Sequence, residues 1–221
     1  MDWEALRLSF ELALWTCALL LPLGTLLARA TCRLRPGLRR LVGALVALPL
    51  VLPPTVLGYY LLLLMGRASP LGELYARLTG GSLVFSFEGL VVASLLFNLP
   101  FAVQPLERAF AAIPRNLGEA AAVSGLSPLA TFLRIELPLA WPGLLSAFAL
   151  VFAHTLGEFG VVLMVGGAIP GETRTVAIAI YDRVQALDEA SAGIMSASLL
   201  AISFLTIALV YLLEAGRRRD G

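Results

Sequence analysis

Residues Glu119 to Pro138 read EAAAVSGLSPLATFLRIELP, a polar, turn-bearing interruption in a chain that is otherwise strongly apolar. Asn116 is placed to cap a helix whose third residue is Glu119, an arrangement in which side-chain oxygens take up backbone N–H groups left free at a helix start. Gly125 is placed to end that helix in a left-handed conformation, which a residue without Cβ adopts at no steric cost. Ser127-Pro128 then opens a second helix, serine supplying the cap and proline the fixed φ of the first helical position. Local chemistry therefore predicts two short helices at an angle, a hairpin over about residues 115–138. Polar helices between apolar spans usually meet a partner; a solvated amphipathic linker is the plain alternative.

Around this hairpin the composition is of membrane grade. The 221 residues are 59% hydrophobic and 14% charged, with a mean hydropathy of +0.88, whereas soluble domains carry about 25% charged residues. The apolar segments long enough to be spans run from about Leu12 to Ala28, Leu41 to Met65, Gly89 to Gln104, Trp141 to Val165 and Ile194 to Leu213, given that a span needs about 20 residues. The third is the shortest; it extends back through Leu83 if Glu88 faces protein or water instead of lipid. The expected fold class is an all-α integral membrane protein of about five transmembrane helices, a single domain over residues 1–221 with an outer loop at about 166–193.

Arginine placement orients the spans, and the chain contains no lysine. Arg29, Arg33, Arg35, Arg39, Arg40, Arg108, Arg115, Arg134, Arg217, Arg218 and Arg219 fall on one side; Arg7, Arg67, Arg77, Arg174 and Arg183 fall on the other. The positive-inside rule puts the first side in the cytoplasm, so the N-terminus is expected outside and the C-terminus inside a cell (inner, cytoplasmic) membrane. A net charge of +1 gives no sign of a nucleic-acid partner. The Ala28-Arg29-Ala30 triplet superficially resembles a signal-peptidase site, but Asp2, Glu4 and Glu11 precede the apolar run where a signal peptide carries positive charge, so it reads as a retained span. Cys17 and Cys32 lie fifteen positions apart on or just beyond one helix, which separates them by roughly 22 Å. They cannot bridge each other within it.

Two stretches carry polar or irregular features at membrane depth. In ALPLVLPPTVLG, Ala47 to Gly58, prolines 49, 53 and 54 interrupt the second span. Irregular backbone at that depth is tolerated where protein buries it or a water-filled path borders it, which makes Pro53, Pro54 and Thr55 pathway candidates; a simple kink is the alternative. In TLGEFGVVLMVGGAIPGETRT, Thr155 to Thr175, Glu158 sits in or near the outer end of the fourth span. His154, four residues earlier, would share a helical face with it, as a polar pair, a gate element or half of a metal site. No third ligand is indicated, and the expected metal is none. Thr55, Ser94, Asn98 and Thr155 could offer hydroxyl and amide groups to an anion without holding it too tightly to release. Thr175 to Leu187 reads as an amphipathic surface helix. There is no HExxH, no GxSxG and no GxxxxGK[ST] phosphate loop, so neither hydrolase chemistry nor an ATPase of its own is indicated.

The spacing of the hairpin resembles the EAA loop of ABC importer permeases: Glu119, Ala120 and Ala121, then Gly125, then Ile135, Leu137 and Pro138. Three blocks, LPLVLPPTVLGYYLLLLMG, the EAA loop, and LGEFG followed by IPGETRT, narrow the resemblance to the molybdate and tungstate permeases, with the sulfate and thiosulfate permeases as the neighbouring alternative. The resemblance implies the type I importer fold and a homodimer with the pathway at its interface. It also implies two cytoplasmic ATPase subunits, which bind ATP and magnesium and receive the EAA loop, and one extracytoplasmic oxyanion-binding protein. Gly171, Glu172 and Arg174 are candidates for docking that protein, and Glu158, with Pro53, Pro54, Thr55, Asn98 and Thr155, for the pathway or gate. No catalytic residue and no cofactor are expected on this chain, and an ion-coupled carrier or intramembrane enzyme is the remote alternative.

Overall fold

The computed structural model describes residues 1–217, apart from the side chains of Arg115 and of residues 214–217. Of the arginines counted at the C-terminus, the Arg217 side chain and all of Arg218 and Arg219 therefore lie outside the described residues. No strand occurs among the described residues. Helix α1 (Trp3–Cys32) opens on Asp2, whose Oδ1 accepts the Ala5 N–H at 3.0 Å. Its 30 residues reach about 45 Å, more than the hydrocarbon thickness of a bilayer.

The segment expected as one second span is two helices, α2 (Pro36–Val51) and α3 (Pro54–Met65), whose axes differ by 107°. The break falls at Leu52-Pro53, where consecutive prolines remove two backbone donors and the helix cannot continue. Ser69 caps the short α4 (Pro70–Thr79), accepting the Gly72 N–H at 2.9 Å.

Helix α5 (Phe87–Ala111) corrects the limits of the third span at both ends. It does not reach back through Leu83: Phe85 has φ 62, its N–H donates to Val165 O at 3.0 Å, and Ser86 caps the helix through the Gly89 N–H. At the other end it runs past Gln104, because Glu107 is paired with Arg39 of α2 at 2.7 Å and its charge need not mark a boundary.

The hairpin follows as α6 (Arg115–Val123) and α7 (Pro128–Thr131), the latter continuing through a π-helical turn (Phe132–Glu136) into α8 (Leu137–Leu139). The Pro128–Leu139 rod then bends by 68° into α9 (Trp141–Gly157). The chain continues through α10 (Gly160–Gly166), α11 (Val176–Gln185) and α12 (Glu189–Arg217). The expected fourth span is thus divided at Glu158-Phe159. Asp188 opens α12 by accepting the Ser191 N–H at 3.2 Å; hydrogen bonds from Ser191, with Arg183 nearby, hold its carboxyl below the ordinary range.

Helices α1, α5 and α9 pack on one another as the centre of the bundle. Small residues permit the approach: a Cβ on Gly143 of α9 would lie 2.4 Å from the Ala109 Cβ of α5, the close backbone contact expected where lipid removes the hydrophobic drive for helix association. Toward the Arg29 end the core is Ala28, Val103, Leu106, Phe110, Phe132 and Ala147; toward the Asp2 end it is Leu8, Leu12, Leu90, Val162 and Ile178. Helix α12 lies against α9 and α2 against α5, and the apolar residues on their outward faces are largely uncovered. Among the described residues, three helices are long and apolar enough to cross a membrane, or up to five when each bent pair counts as one span.

Candidate functional site

The hairpin is built by short-range capping. Helix α6 starts two residues earlier than Asn116 would dictate: Pro114, extended at ψ 133, is the cap, and the Leu117 N–H already closes the first turn on Pro114 O at 3.2 Å. Asn116 therefore lies inside the helix. At the other end Gly125 has φ 76, the Leu126 N–H donates to Ala121 O and the Gly125 N–H to Ala122 O, both at 3.0 Å, which is the Schellman closure. Ser127 accepts the Ala130 N–H at 3.2 Å and opens α7. Glu119, Ala120 and Gly125 are exposed, Ala121 is buried, Ile135 and Leu137 are half-buried, and Pro138 is exposed. Val123 beside them is 90% exposed. The hairpin thus offers an apolar, small-residue surface away from the bundle.

Two helix breaks meet on the flank of the bundle. Pro53 and Pro54 begin α3, with Thr55 next; Glu158 and Phe159 separate α9 from α10. A Cβ on Gly160 would lie 2.7 Å from Pro54 Cβ, and one on Gly58 would lie 2.6 Å from Met164 Cβ. Helices α3 and α10 can come this close only because both positions are glycine. Glu158 is 7% exposed, and its Oε1 accepts the Val161 N–H at 2.9 Å, satisfying a free donor at the start of α10.

The expected His154–Glu158 pair does not form. Helix α9 ends at Gly157, so Glu158 leaves the face that an unbroken helix would share with His154. The His154 Nδ1 instead lies 3.0 Å from Asn98 Oδ1, and its ring stacks on Phe97 and lies tilted against Phe101, with centroids 4.9 and 4.1 Å away. The Asn98 Nδ2 donates to Ser94 O at 2.9 Å and Ser94 Oγ at 3.1 Å. A carbonyl can only accept, so the amide is oriented with Oδ1 toward the histidine, and Nδ1 carries the proton. The Ser94 and Thr16 hydroxyls share a hydrogen bond of 3.0 Å, extending the polar chain from α9 through α5 to α1. Ser94, Asn98 and Thr16 are buried, and Thr155 is turned back onto Val151 O at 2.7 Å. Asn98 and Thr155 therefore lie inside the chain, apart from the exposed Pro53, Pro54 and Thr55. Among the described residues no three His, Cys, Asp or Glu side chains gather as a metal site.

At the Asp2 end, Gly171 and Glu172 are exposed, whereas Arg174 is drawn inward. Its Nη1 donates to Asp2 Oδ2 at 3.1 Å and its Nε to Asp182 Oδ2 at 2.8 Å, tying the loop before α11 to both α1 and α11. The Val176 N–H donates to Ser9 Oγ at 2.8 Å, a second stitch to α1. The amphipathic helix runs from Val176 to Gln185 with Val176, Ile178 and Ala179 buried.

A family model described as binding-protein-dependent transport system inner membrane component matches residues 21–219. The molybdenum transport system permease protein ModB of Azotobacter vinelandii is 50% identical over 95% of this chain and 93% of its own length. That of Escherichia coli K12 is 35% identical over 96% and 91%. A probable sulfate transport system permease of Chlorella vulgaris is 31% identical over 78% of this chain and 64% of its own. Among solved structures, a bacterial alginate ABC transporter in complex with a pentasaccharide-bound periplasmic protein shares the fold, with a TM-score of 0.73 at 18% identity over 98% of this chain and 78% of that one. Nearly full-length matches at both levels leave one conclusion: the chain belongs to the inner membrane components of binding-protein-dependent transport systems, among the ModB-like ABC importer permeases.

Proposed function

We propose that this chain is the membrane-translocating subunit of an ATP-driven importer of molybdate or tungstate. The observation that carries the substrate is the 50% identity to a molybdenum permease along nearly the whole chain, which exceeds in both identity and coverage the resemblance to a sulfate permease. In this reading two copies of the chain enclose the pathway. An extracytoplasmic oxyanion-binding protein docks at the Asp2 end, over Gly171 and Glu172 and the loop that Arg174 anchors. Two ATPase subunits, holding ATP and magnesium, take the hairpins at the Arg29 end, which is cytoplasmic; the N-terminus is outside.

The hairpin supports the mechanical part of the proposal. Its Schellman corner and serine cap make a stiff unit whose exposed face, Glu119, Ala120 and Val123, fits a cleft in a partner. Closure of the ATPase pair would move the two hairpins together and swing the bundles between inward-open and outward-open arrangements, a rigid-body alternating access. The meeting of the α3 and α10 breaks, with Pro53, Pro54, Thr55 and Glu158, is the place where such a swing would open or shut the path.

Uptake of labelled molybdate into vesicles holding the complete transporter tests the substrate. Excess tungstate should compete and excess sulfate should not. Competition by sulfate at equal concentration would move the chain to the sulfate permeases.

A further inference from the structure

Glu136 joins the hairpin to the bundle by charge. One carboxylate oxygen, Oε2, accepts from Arg29 Nε and the other, Oε1, from Arg33 Nη2 at 2.8 Å. Both arginines stand at the end of α1. The Arg29 guanidinium also lies 4.6 Å from the centre of the Phe132 ring and donates to Pro128 O at 3.3 Å. A single side chain from α1 thus holds the first residue of α7 and both ends of the π-helical turn. Such turns inside helices are frequent at functional sites.

The Arg29 and Glu136 side chains are 19% and 17% exposed, so solvent screens this pair less than a surface ion pair. Removing Glu136 would leave the largely buried Arg29 charge without its carboxylate. Beside the fork lies a cavity of about 200 Å³, lined by Ile113, Leu117, Gly118 and Ile135 as well as Arg29, Arg33 and Glu136.

We propose that Glu136, held by Arg29 and Arg33, is a positioning residue that makes α1 follow the hairpin. Because α1 lies along both α5 and α9, a displacement of the π-helical turn is passed to the centre of the bundle through two charge-assisted hydrogen bonds. The inference rests on the hairpin's role as the contact for the ATPase.

The test is transport per ATP hydrolysed by the complete complex of this chain with its ATPase and binding protein. Glu136→Gln should lower that ratio about tenfold in an assembled complex, within the range by which residues on a coupling route act. Arg33→Gln, which leaves the Arg29 arm in place, should lower it roughly two- to threefold, the lower part of the same range. Glu119→Arg, on the exposed face of α6, is the control for the hairpin itself and should also uncouple. If Glu119→Arg uncouples while Glu136→Gln and Arg33→Gln keep the parent ratio, the fork does not transmit and the inference falls alone. If all three keep the parent ratio, the hairpin reading falls and takes the inference with it. Should Glu136→Gln fail to accumulate, the half-exposed Arg33 decides: an unchanged ratio in Arg33→Gln overturns the proposal.

Discussion

Pro54 closes directly over Gly160, so that a Cβ at position 160 would sit 2.7 Å from the proline Cβ. Two broken helices are locked at their breaks by this contact, and any side chain at 160 must push them apart. Gly160→Val should lower the Tm in detergent, corresponding to an overpacking cost of about 1–3 kcal/mol, and should abolish uptake. Gly157→Ala is the matched control, since a Cβ there meets nothing within 4 Å. It should leave both at the parent level. Equal behaviour of the two variants would show that the α3–α10 contact is not a constrained one.

The Asn98–His154 pair is best measured as a cycle. Asn98→Leu leaves the His154 Nδ1 proton without its acceptor, and His154→Phe leaves the Asn98 Oδ1 without its donor; each should cost about 1–3 kcal/mol, the penalty for an unsatisfied polar group. The double variant removes both orphaned groups and should cost clearly less than the sum. Thermal unfolding of the four proteins checks this. Additive losses would mean that the hydrogen bond holds little of the packing between α5 and α9.

Gly125→Val places a β-branched residue at φ 76, a conformation costing roughly 1–2 kcal/mol for an L-residue. The damage should stay local because the corner carries no bundle core. Hydrogen exchange at the Leu126 amide, which now donates to Ala121 O, should accelerate, and association with the ATPase should weaken, with the Tm of the isolated chain unchanged. A fall in Tm without a change in association would contradict the assignment of the corner to a partner contact.

Arg174→Glu would set a third carboxylate beside Asp2 and Asp182. With the arginine side chain 21% exposed, the loss should be on the order of 1–2 kcal/mol after allowance for solvent screening. Its readout is a lower Tm that high salt partly restores. Docking of the binding protein is better probed at exposed Glu172, where charge reversal should weaken association and spare stability.

What could be read along the chain was what local chemistry decides. Gly125, Ser127 and Pro128 announce the corner and the second helix because caps and left-handed glycines act within a few residues. The break at Pro53-Pro54 is equally local. Helix α6 starts two residues before an Asn116 cap would place it, because its first turn closes on the Pro114 carbonyl without any side-chain cap. His154 and Glu158 looked like a pair only on the assumption of an unbroken helix; the turn after Gly157 sends one to Asn98 and the other to the α10 backbone. Ser94, Phe97, Asn98 and Phe101 lie three or four positions apart along α5, and only the fold brings His154 to them. Nothing short-range links Arg29 or Arg33 to Glu136, more than a hundred positions away. Their meeting is a product of the tertiary fold.

The most direct measurement is ATP hydrolysis by the complete transporter with its binding protein loaded in turn with molybdate, tungstate and sulfate. Stimulation by molybdate and tungstate, with sulfate at the unliganded rate, is the expected result. Stimulation by sulfate equal to that by molybdate would contradict the substrate assignment at the centre of the account.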